Sequence, residues 1–348
     1  MFKEYCSKFP DMAEKWNIYF SDKLPVDLLN DEDFWTYEGD MATRASSEKV
    51  LNKLSKVIPN LFGGSADLGP SNKSVMKDRE YYSPENPSGS NIHFGIREFA
   101  MTAMANAISL HGGLRPYIAG FFVFSDYMKA GMRLSALMEQ PVISILTHDS
   151  IGVGEDGPTH QPIEHLAALR SMPGYTVIRP CDTHETAAAW YLALTRKQPT
   201  GIVLSRQTLP LLKETGKDAL KGAYILQNCD GKPDIILMAT GSEVELIYKA
   251  YDILTEKGIK VRTVSMPSFE VFEEQSDEYK ESVLPNSVRA RVAVEAASDF
   301  GWYKYVGLDG KVICMHGFGE SAPAGELFKK FGFTVDNVVN TAIEVLNK

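Results

Sequence analysis

The chain alternates between short, almost wholly apolar runs and longer stretches in which apolar residues recur every three or four positions. The apolar runs include PVISIL, GIVL and DIILMA, and such runs are typical of strands buried on both faces of a parallel sheet. The longer stretches include TRASSEKVLNKLSKV, SDYMKAGMRLSALMEQ and THETAAAWYLALTRK, which have the period of amphipathic helices. This alternation predicts an α/β fold, with largely parallel sheets covered by helices on both faces.

Changes in composition divide the chain into four segments. Residues 1–37 are polar and aromatic by turns, which predicts a short helix followed by an extended connecting arm. Residues 38–208 predict one doubly wound domain, and residues 233–348 predict a second one, with Ser242 as the cap of its first helix. Residues 209–232 between them are rich in lysine, glycine and polar side chains, which predicts an interdomain linker.

Charge and cysteine usage limit the classes of partner and compartment. The 36 basic and 45 acidic residues give a net charge of -9 without a long basic run, so nucleic acid and anionic membranes are poor candidate partners. Neither a signal peptide nor a membrane span is predicted. The four cysteines lie far apart and form no C-x-x-C, which argues against a disulfide framework and favours the cytoplasm.

The glycine-rich stretch THDSIGVGEDGPTHQP contains the pattern Gly-x-Gly-x-x-Gly directly after an apolar run. A dinucleotide-binding fingerprint would need a helix to begin at the third glycine and a cradle free of carboxylates. Here Pro158 and Pro162 prolong the loop, and Glu155 and Asp156 would repel a phosphate. The stretch therefore favours a rigid loop at the carboxyl end of a strand, where open α/β sheets place their ligands.

This loop carries chemically active side chains, and two interpretations of them remain. His148, Asp156 and His160 are candidates for binding a substrate and for moving its protons. Together with His165 they could instead hold a metal, but they lack the compact spacing of a ligand set. We therefore expect no metal site in this chain.

Two further features each have an ordinary alternative. Glu98, in HFGIREFAM, lies at the predicted first turn of a helix, where partial burial favours a protonated carboxyl group. Taken in isolation, Glu98 is better explained as a simple stabilising charge at a helix amino terminus. Phe121, Phe124 and Tyr127 are spaced by three, which suits either a stacking wall for a flat heteroaromatic ring or plain core packing.

Several long motifs together resemble those of transketolases. They are GGSADLGPSN, HFGIREFAMTAMANAISLHGG, THDSIGVGEDGPTHQPIEHLAALR and GFGESAPAGELFKKFGFTVDNVV, in the family's order, from about residue 35 to the carboxyl terminus. The resemblance implies a pyrimidine-binding domain followed by a transketolase C-terminal domain, with thiamine diphosphate as cofactor. It implies transfer of a two-carbon ketol unit from a ketose phosphate to an aldose phosphate, in the pentose phosphate pathway.

The resemblance also assigns roles at the cofactor. Glu98 would hydrogen-bond to the aminopyrimidine and act in catalysis. Phe121, Phe124 and Tyr127 would surround the pyrimidine ring, and Asp67 would line the cofactor site across a dimer interface.

A second set would bind the substrate. His148 and His160 would contact hydroxyl and carbonyl oxygens near the reacting carbon and shuttle protons, and Asp156 would accept a hydrogen bond from the acceptor's C2 hydroxyl. Arg44, Ser71 and Arg206 would bind the distal phosphate, as guanidinium groups match phosphate oxygens.

One family feature is missing from the sequence. Transketolases bind the diphosphate and its divalent ion through an amino-terminal domain with a Gly-Asp-Gly motif, which this chain lacks. The resemblance therefore implies a half enzyme, either a natural subunit or a fragment, that is inactive without an amino-terminal-half partner holding Mg²⁺ or another divalent ion. The opening Met-Phe-Lys favours the natural subunit, and a homodimer or heterotetramer is expected.

Two alternative functions remain open at this point. The β subunits of 2-oxo acid dehydrogenases share the two-domain plan and the glutamate, and they belong to a family that is naturally split. A transketolase-like pair of domains without catalytic activity, serving as a binding module, is the other alternative.

Overall fold

The computed structural model describes residues 1–347, which form a helical amino-terminal segment and two α/β units. The amino-terminal segment contains α1 (Phe2–Lys8), α2 (Pro10–Tyr19) and α3 (Glu32–Trp35). The first unit contains α4 (Thr43–Val57), β1 (Leu61–Ser65), α5 (Gly69–Asn72), β2 (Asn91–His93), α6 (Glu98–His111), β3 (Arg115–Phe121), α7 (Ser125–Leu137), β4 (Ile143–Thr147), α8 (His165–Arg170), β5 (Thr176–Ile178), α9 (Thr183–Thr195) and β6 (Thr200–Leu204).

The second unit follows directly and closes the chain. It contains β7 (Tyr224–Gln227), β8 (Ile235–Ala239), α10 (Val244–Glu256), β9 (Val261–Ser265), α11 (Phe269–Glu273), α12 (Asp277–Val283), β10 (Arg291–Val294), α13 (Tyr303–Val306), β11 (Lys311–Ile313), α14 (Ala324–Lys330) and α15 (Val335–Leu346).

Each unit is built around one sheet. The first sheet has the order β2-β1-β3-β4-β6-β5, and its strands pair in parallel. The second has the order β11-β10-β8-β9-β7, in which β7 runs antiparallel to β9 while the other pairs are parallel. The largely parallel sheets predicted from the apolar runs are therefore confirmed.

Helices cover both faces of the first sheet. On one face, Tyr117 and Ala119 of β3 pack in a core with α4 and α9, whose Trp190 is fully buried. On the other face, Ile118 of β3 packs with Met101 of α6 and with α7. Neighbouring β3 residues thus face opposite cores, which explains why the strand is apolar throughout.

Three local predictions differ from the structure. The amino-terminal segment forms two consecutive helices, α1 and α2, before its irregular part. The predicted linker contains β7, because Tyr224 and Leu226 alternate inward and are buried against the second sheet. Ser242 does not cap a helix: its hydroxyl donates to the Glu243 carboxylate instead, at 2.5 Å. Within residues 1–347, no helix has both the length and the apolar character needed to cross a membrane.

Candidate active site

Most of the predicted site residues gather where the parallel strands of the first sheet end. Phe121 is the last residue of β3 and runs into a short 3-10 helix, Phe122–Phe124. His148 follows β4 directly, and Arg206 lies two residues after β6. Because the carboxyl ends of parallel strands meet at one edge, residues far apart in the chain become neighbours there.

The aromatic residues form a stepped surface at this edge. The rings of Phe121 and Phe124 are nearly parallel, with centroids 5.9 Å apart, and Tyr127 continues the series at 6.1 Å from Phe124. Phe121 is buried, Phe124 is half-buried and Tyr127 is 64% exposed. Phe121 therefore belongs to the core, whereas Phe124 and Tyr127 offer faces on which a flat ring can stack.

Both predicted histidines contact this aromatic surface. The His148 ring lies against Phe121, with centroids 3.7 Å apart, and the His160 ring meets Phe124 edge-on at 5.6 Å. His148 has a left-handed backbone, with φ of +65°, which is uncommon for a residue other than glycine. This backbone conformation costs energy, so contacts with the surrounding residues must stabilise it.

The charge state of His148 follows from its environment. Burial, together with the charges of Arg44 and Arg206 and the nearby His160, lowers the pKa of His148 to about 3. The ring is therefore neutral at physiological pH. At physiological pH the ring therefore faces its neighbours as an uncharged imidazole.

Arg44 and Arg206, two of the three predicted phosphate-binding residues, lie close enough to His148 for their charges to lower its pKa. Arg44 Nη1 is 3.3 Å from His148 Nε2 and donates to the main-chain oxygen of Ser71 at 3.0 Å. Burial, followed by the charge of Arg206, lowers the pKa of Arg44. Two guanidinium groups that repel each other in this way favour an anion between or beside them.

The glycine-rich stretch forms a loop, as predicted, and the second unit supports it. No helix begins at Gly157, since α8 starts only at His165. Gly154 and Gly157 have φ of +84° and +76°, which only glycine adopts readily. Gln161 Nε2 donates to the carbonyl of Gly154 at 2.9 Å and to that of Glu320, in the second unit, at 2.8 Å.

The remaining predicted residues, Glu98, Asp67 and Asp156, are half-buried or exposed. Glu98 is the first residue of α6 and is half-buried, as expected for its helix position. Asp67 and Asp156 are exposed, and Asp67 has a left-handed backbone with φ of +61°. Their roles remain proposals.

The residues weighed as metal ligands do not cluster together. Within residues 1–347, the acidic and histidine groups close enough to hold an ion are Asp126, Glu164 and His165, and this group excludes His148, Asp156 and His160. His165 Nε2 is 3.3 Å from Asp126, whose carboxylate also contacts Lys129 at 3.4 Å. Asp126 of this group therefore already contacts two side chains of the chain, Lys129 and His165.

Sequence reasoning missed three residues that support the site. Gln161 holds the glycine-rich loop, and Thr147 and Asn72 form a buried link behind His148. Each of them is the neighbour of a predicted site residue in the sequence, and this position was the only feature of the sequence that could have indicated their role. Thr147 and Asn72 are 75 positions apart, and Gln161 and Glu320 are 159 apart, and a local sequence pattern does not show such contacts.

Comparisons with family models divide the chain into two matches. Residues 39–211 match the family model described as "Transketolase, pyrimidine binding domain". Residues 222–334 match the model described as "Transketolase-like TK C-terminal domain".

Similar curated proteins are about twice as long as this chain. It is 48% identical over 351 residues to a transketolase of Staphylococcus aureus, covering 99% of the chain and 53% of that protein. The same identity and coverage hold for a transketolase of Halalkalibacterium halodurans. The chain spans about half the length of the curated relatives that it matches.

Solved transketolase structures also match this chain over about half of their own length. A transketolase from Leishmania mexicana superposes with a TM-score of 0.94 at 41% identity, covering 99% of this chain and 51% of that one. A transketolase from Pichia stipitis in complex with sedoheptulose 7-phosphate superposes with a TM-score of 0.93 at 40% identity, with 99% and 52% covered. A split-gene transketolase described as an inactive β4 tetramer shares the fold, with a TM-score of 0.71 at 22% identity, and covers 89% of this chain and 99% of its own.

Proposed function

Because this chain belongs to the transketolase family and spans about half of its relatives' length, we propose that it is the carboxyl-terminal half of a transketolase. It transfers a two-carbon ketol unit from a ketose phosphate to an aldose phosphate, with thiamine diphosphate as cofactor, as a step of the pentose phosphate pathway in the cytoplasm. It acts only together with an amino-terminal half, which holds the diphosphate and Mg²⁺ or another divalent ion.

One observation carries this proposal. His148, His160 and the Phe121–Phe124 pair meet at the carboxyl edge of the first sheet, with Arg44 in contact with His148. Imidazoles, an aromatic face and a cation in one place can bind a flat cofactor ring and an anionic sugar side by side.

The residues at this edge fit the pyrimidine end of thiamine diphosphate. Phe124 is half-buried and Tyr127 is largely exposed, so both can stack on an aromatic ring, and the half-buried Glu98 carboxyl can hydrogen-bond to a ring nitrogen. Asp67 is exposed and lines the cofactor site across the dimer interface. When bound, the cofactor supplies the electron sink for cleavage and formation of the carbon–carbon bond.

The sugar phosphate is bound by the neighbouring polar residues. Arg44 and Arg206 bind the distal phosphate, with Ser71 beside them. His148 and His160 contact the oxygens near the reacting carbon, and Asp156 accepts a hydrogen bond from the C2 hydroxyl of the acceptor. An acidic protein of net charge -9 can therefore bind an anionic substrate through a local pair of cations.

Exposed apolar side chains support a partner for this chain. Around α6 and α7 they include Ile96, Phe99, Leu110, Tyr127 and Leu137, and on α1 and α2 they include Phe2, Phe9, Met12 and Trp16. Large exposed apolar surfaces are typical of protein–protein interfaces. We propose that they are covered in a homodimer or in a heterotetramer with the amino-terminal half.

The test is a ketol-transfer assay from xylulose 5-phosphate to ribose 5-phosphate. The chain alone, with thiamine diphosphate and Mg²⁺, should show no turnover, and adding an amino-terminal-half protein should restore it, with light scattering reporting the assembly. Turnover by the chain alone at the rate of a full enzyme would refute the half-enzyme proposal.

The same assay separates the alternative functions. A β-like subunit of a 2-oxo acid dehydrogenase would decarboxylate pyruvate with its partner and would not transfer ketol units. A non-catalytic binding module would assemble with the amino-terminal half without giving any turnover.

A further inference from the structure

The first residue of α4 is hydrogen-bonded to a residue 162 positions further along the chain. Thr43 begins α4, and Ser205 directly follows β6. The Thr43 N–H donates to Ser205 Oγ at 3.0 Å, and the Ser205 N–H donates to Thr43 Oγ1 at 2.7 Å. A third bond joins the two hydroxyl groups, from Thr43 Oγ1 to Ser205 Oγ at 3.1 Å. We call this reciprocal contact the Thr43–Ser205 clamp.

Ser205 also caps α4 from outside the helix. The residue before the helix, Ala42, has no side chain that could accept a hydrogen bond. Ser205 Oγ accepts from the first N–H of the helix, and the Ser205 main-chain oxygen accepts from the Arg44 N–H at 3.4 Å. The next two N–H groups bond to the Ala42 carbonyl. The free N–H groups that usually bind an anion at a helix amino terminus are therefore absent, and an anion here depends on side chains.

The two hydroxyl groups of the clamp use their protons and acceptor sites fully. Thr43 Oγ1 accepts one hydrogen bond and donates one. Ser205 Oγ accepts two, and it donates its own proton to the Gln207 carbonyl at 3.0 Å. Both residues are buried, so water cannot replace a bond that is lost. Removing either hydroxyl would leave a buried main-chain N–H without its partner, which favours a shift of the backbone.

Each residue of the clamp directly precedes one of the two arginines of the candidate anion site, Arg44 and Arg206. The Arg44 side chain has a second anchor, because Nη1 donates to the main-chain oxygen of Ser71 at 3.0 Å. The Arg206 side chain is exposed and forms no hydrogen bond or ion pair within residues 1–347. The position of its guanidinium group therefore depends on the backbone that Ser205 holds.

The clamp acts against the repulsion between these two arginines. The charge of Arg206 is, after burial, the second cause that lowers the pKa of Arg44, so the two cations are close enough to repel each other. Without a restraint the two segments would lower their energy by moving apart. Two guanidinium groups held at a fixed spacing, in contrast, can bind the oxygens of one phosphate group together.

We propose that Thr43 and Ser205 are positioning residues, which hold Arg44 and Arg206 at the spacing that a phosphate group requires and so make the site specific for phosphorylated sugars. This inference rests on the proposed function and names two residues that determine its substrate class. Neither hydroxyl group reaches the substrate, because both are buried. Each acts through the arginine that follows it.

Three variants separate this role from a general effect on the fold. Thr43→Val removes the hydroxyl group while keeping the side-chain shape, and Thr43→Ser keeps the hydroxyl group. Thr195→Val is the matched control, because the Thr195 hydroxyl contacts only carbonyl groups of its own helix, α9. Each variant is mixed with the amino-terminal half, thiamine diphosphate and Mg²⁺.

Ketol transfer to the unphosphorylated aldose glyceraldehyde is measured with two donors, xylulose 5-phosphate and the unphosphorylated ketose erythrulose. For Thr43→Val we expect the KM for xylulose 5-phosphate to rise by about tenfold or more, because the arginines are displaced. The KM for erythrulose and both kcat values should be unchanged, since only binding of the phosphate is lost. Thr43→Ser and Thr195→Val should match wild type. An equal rise for both donors, or no rise for xylulose 5-phosphate, would overturn the positioning role.

Phosphate binding by the chain alone tests the clamp without any turnover. Inorganic phosphate is titrated into the chain with ¹⁵N-labelled arginines, and the signals of Arg44 and Arg206 are those that Arg44→Lys and Arg206→Lys variants lack. We expect both wild-type signals to shift with one Kd, and this Kd to be raised by about tenfold or more in Thr43→Val. No shift in the wild-type chain, or separate Kd values for the two arginines, would overturn the inference.

A second variant covers the case in which Thr43→Val does not fold. Ser205→Ala removes the oxygen that accepts from the Thr43 N–H, so the same rise in the phosphate Kd and in the KM for xylulose 5-phosphate is expected. Wild-type values in this variant would overturn the inference. If the wild-type complex shows no ketol transfer but phosphate binding depends on the clamp as expected, the proposed function fails while the role of the clamp stands.

Discussion

His148 and Glu185 are both removed from solvent, and in each of them burial favours the uncharged form. For His148, the arginines nearby add to the effect of burial. For Glu185, burial and the adjacent charge of Asp182 raise the pKa to about 7. Its carboxylate accepts from Tyr224 and Ser265 of the second unit, at 2.9 and 2.5 Å, and from the Cys181 N–H at 2.7 Å. Glu185 is therefore a titratable carboxyl group buried between the units.

The raised pKa of Glu185 predicts a pH-dependent stability. A carboxyl whose pKa is about 7 when folded and 4.5 when unfolded stabilises the fold fully below pH 4.5, and this contribution is lost as the pH rises to 7. Glu185→Gln mimics the protonated form: its oxygen can accept from Cys181 while its amide donates to the two hydroxyls. We expect the variant to be more stable than wild type at pH 8, by on the order of 3 kcal/mol.

Urea unfolding at pH 8 and at pH 5 measures this difference. The gap between variant and wild type should be largest at pH 8 and should shrink toward pH 5. A gap of equal size at both values would show that Glu185 does not titrate in this window.

At the scale of residues, the sequence motifs predicted which residues belong to the candidate site, but they did not predict how these residues interact. Glu98, His148, His160 and Arg44 were predicted from motifs that surround them. The hydrogen bond behind His148 joins Thr147 to Asn72, 75 positions away, and the pKa of Glu185 depends partly on hydrogen bonds from the second unit. Such properties arise from burial and from contacts between distant segments, neither of which a local pattern contains.

At the scale of elements, the end of β5 is joined to the second unit by a buried ion network. Arg179 follows β5 and donates to Asp149 at 2.9 Å, and it also pairs with Glu243, which immediately precedes α10. Asp149 is the residue after His148, so the network holds the base of the site loop. All three side chains are buried.

Removing Arg179 should be costly. Arg179→Met would leave two carboxylates buried without their cation, which typically costs about 3–5 kcal/mol in the free energy of unfolding. Arg289→Met, which breaks an exposed pair with Asp309, is the matched control and should cost roughly 1 kcal/mol or less. Equal losses in denaturant titrations would mean that the network does not contribute beyond a surface pair.

The apolar patterns predicted the regular elements well, and the exceptions have physical reasons. The helix TRASSEKVLNKLSKV has the observed bounds of α4, Thr43–Val57, because its apolar face and its polar face are both regular. The helices α11 and α12 were not predicted, since they are short and are stabilised by packing in a core, through Phe269 and Phe272 of α11 and Val283 of α12. β7 was not predicted either, because it is short, lies in a polar segment and is stabilised by the burial of Tyr224 and Leu226.

At the scale of the whole molecule, the candidate site lies at the carboxyl edge of the first sheet, and the second unit contacts the loop at this edge. In the glycine-rich loop of the first unit, Gln161 donates to the carbonyl of Glu320 in the second unit, and the carbonyl of Glu155 accepts from Ser321 of the second unit. The second unit therefore supports the loop that carries Asp156 and His160. The order of the two domains was predicted from the sequence motifs, whereas this contact between them was not.

The central claim is that this edge forms one half of a transketolase active site, and Glu98→Gln tests it most directly. Ketol transfer is measured with the wild-type chain and with the variant, each mixed with the amino-terminal half, and with Glu256→Gln at an exposed position of α10 as control. We expect Glu98→Gln to lose about hundredfold or more in kcat and the control to match wild type. Full ketol transfer by the Glu98→Gln complex would contradict the account.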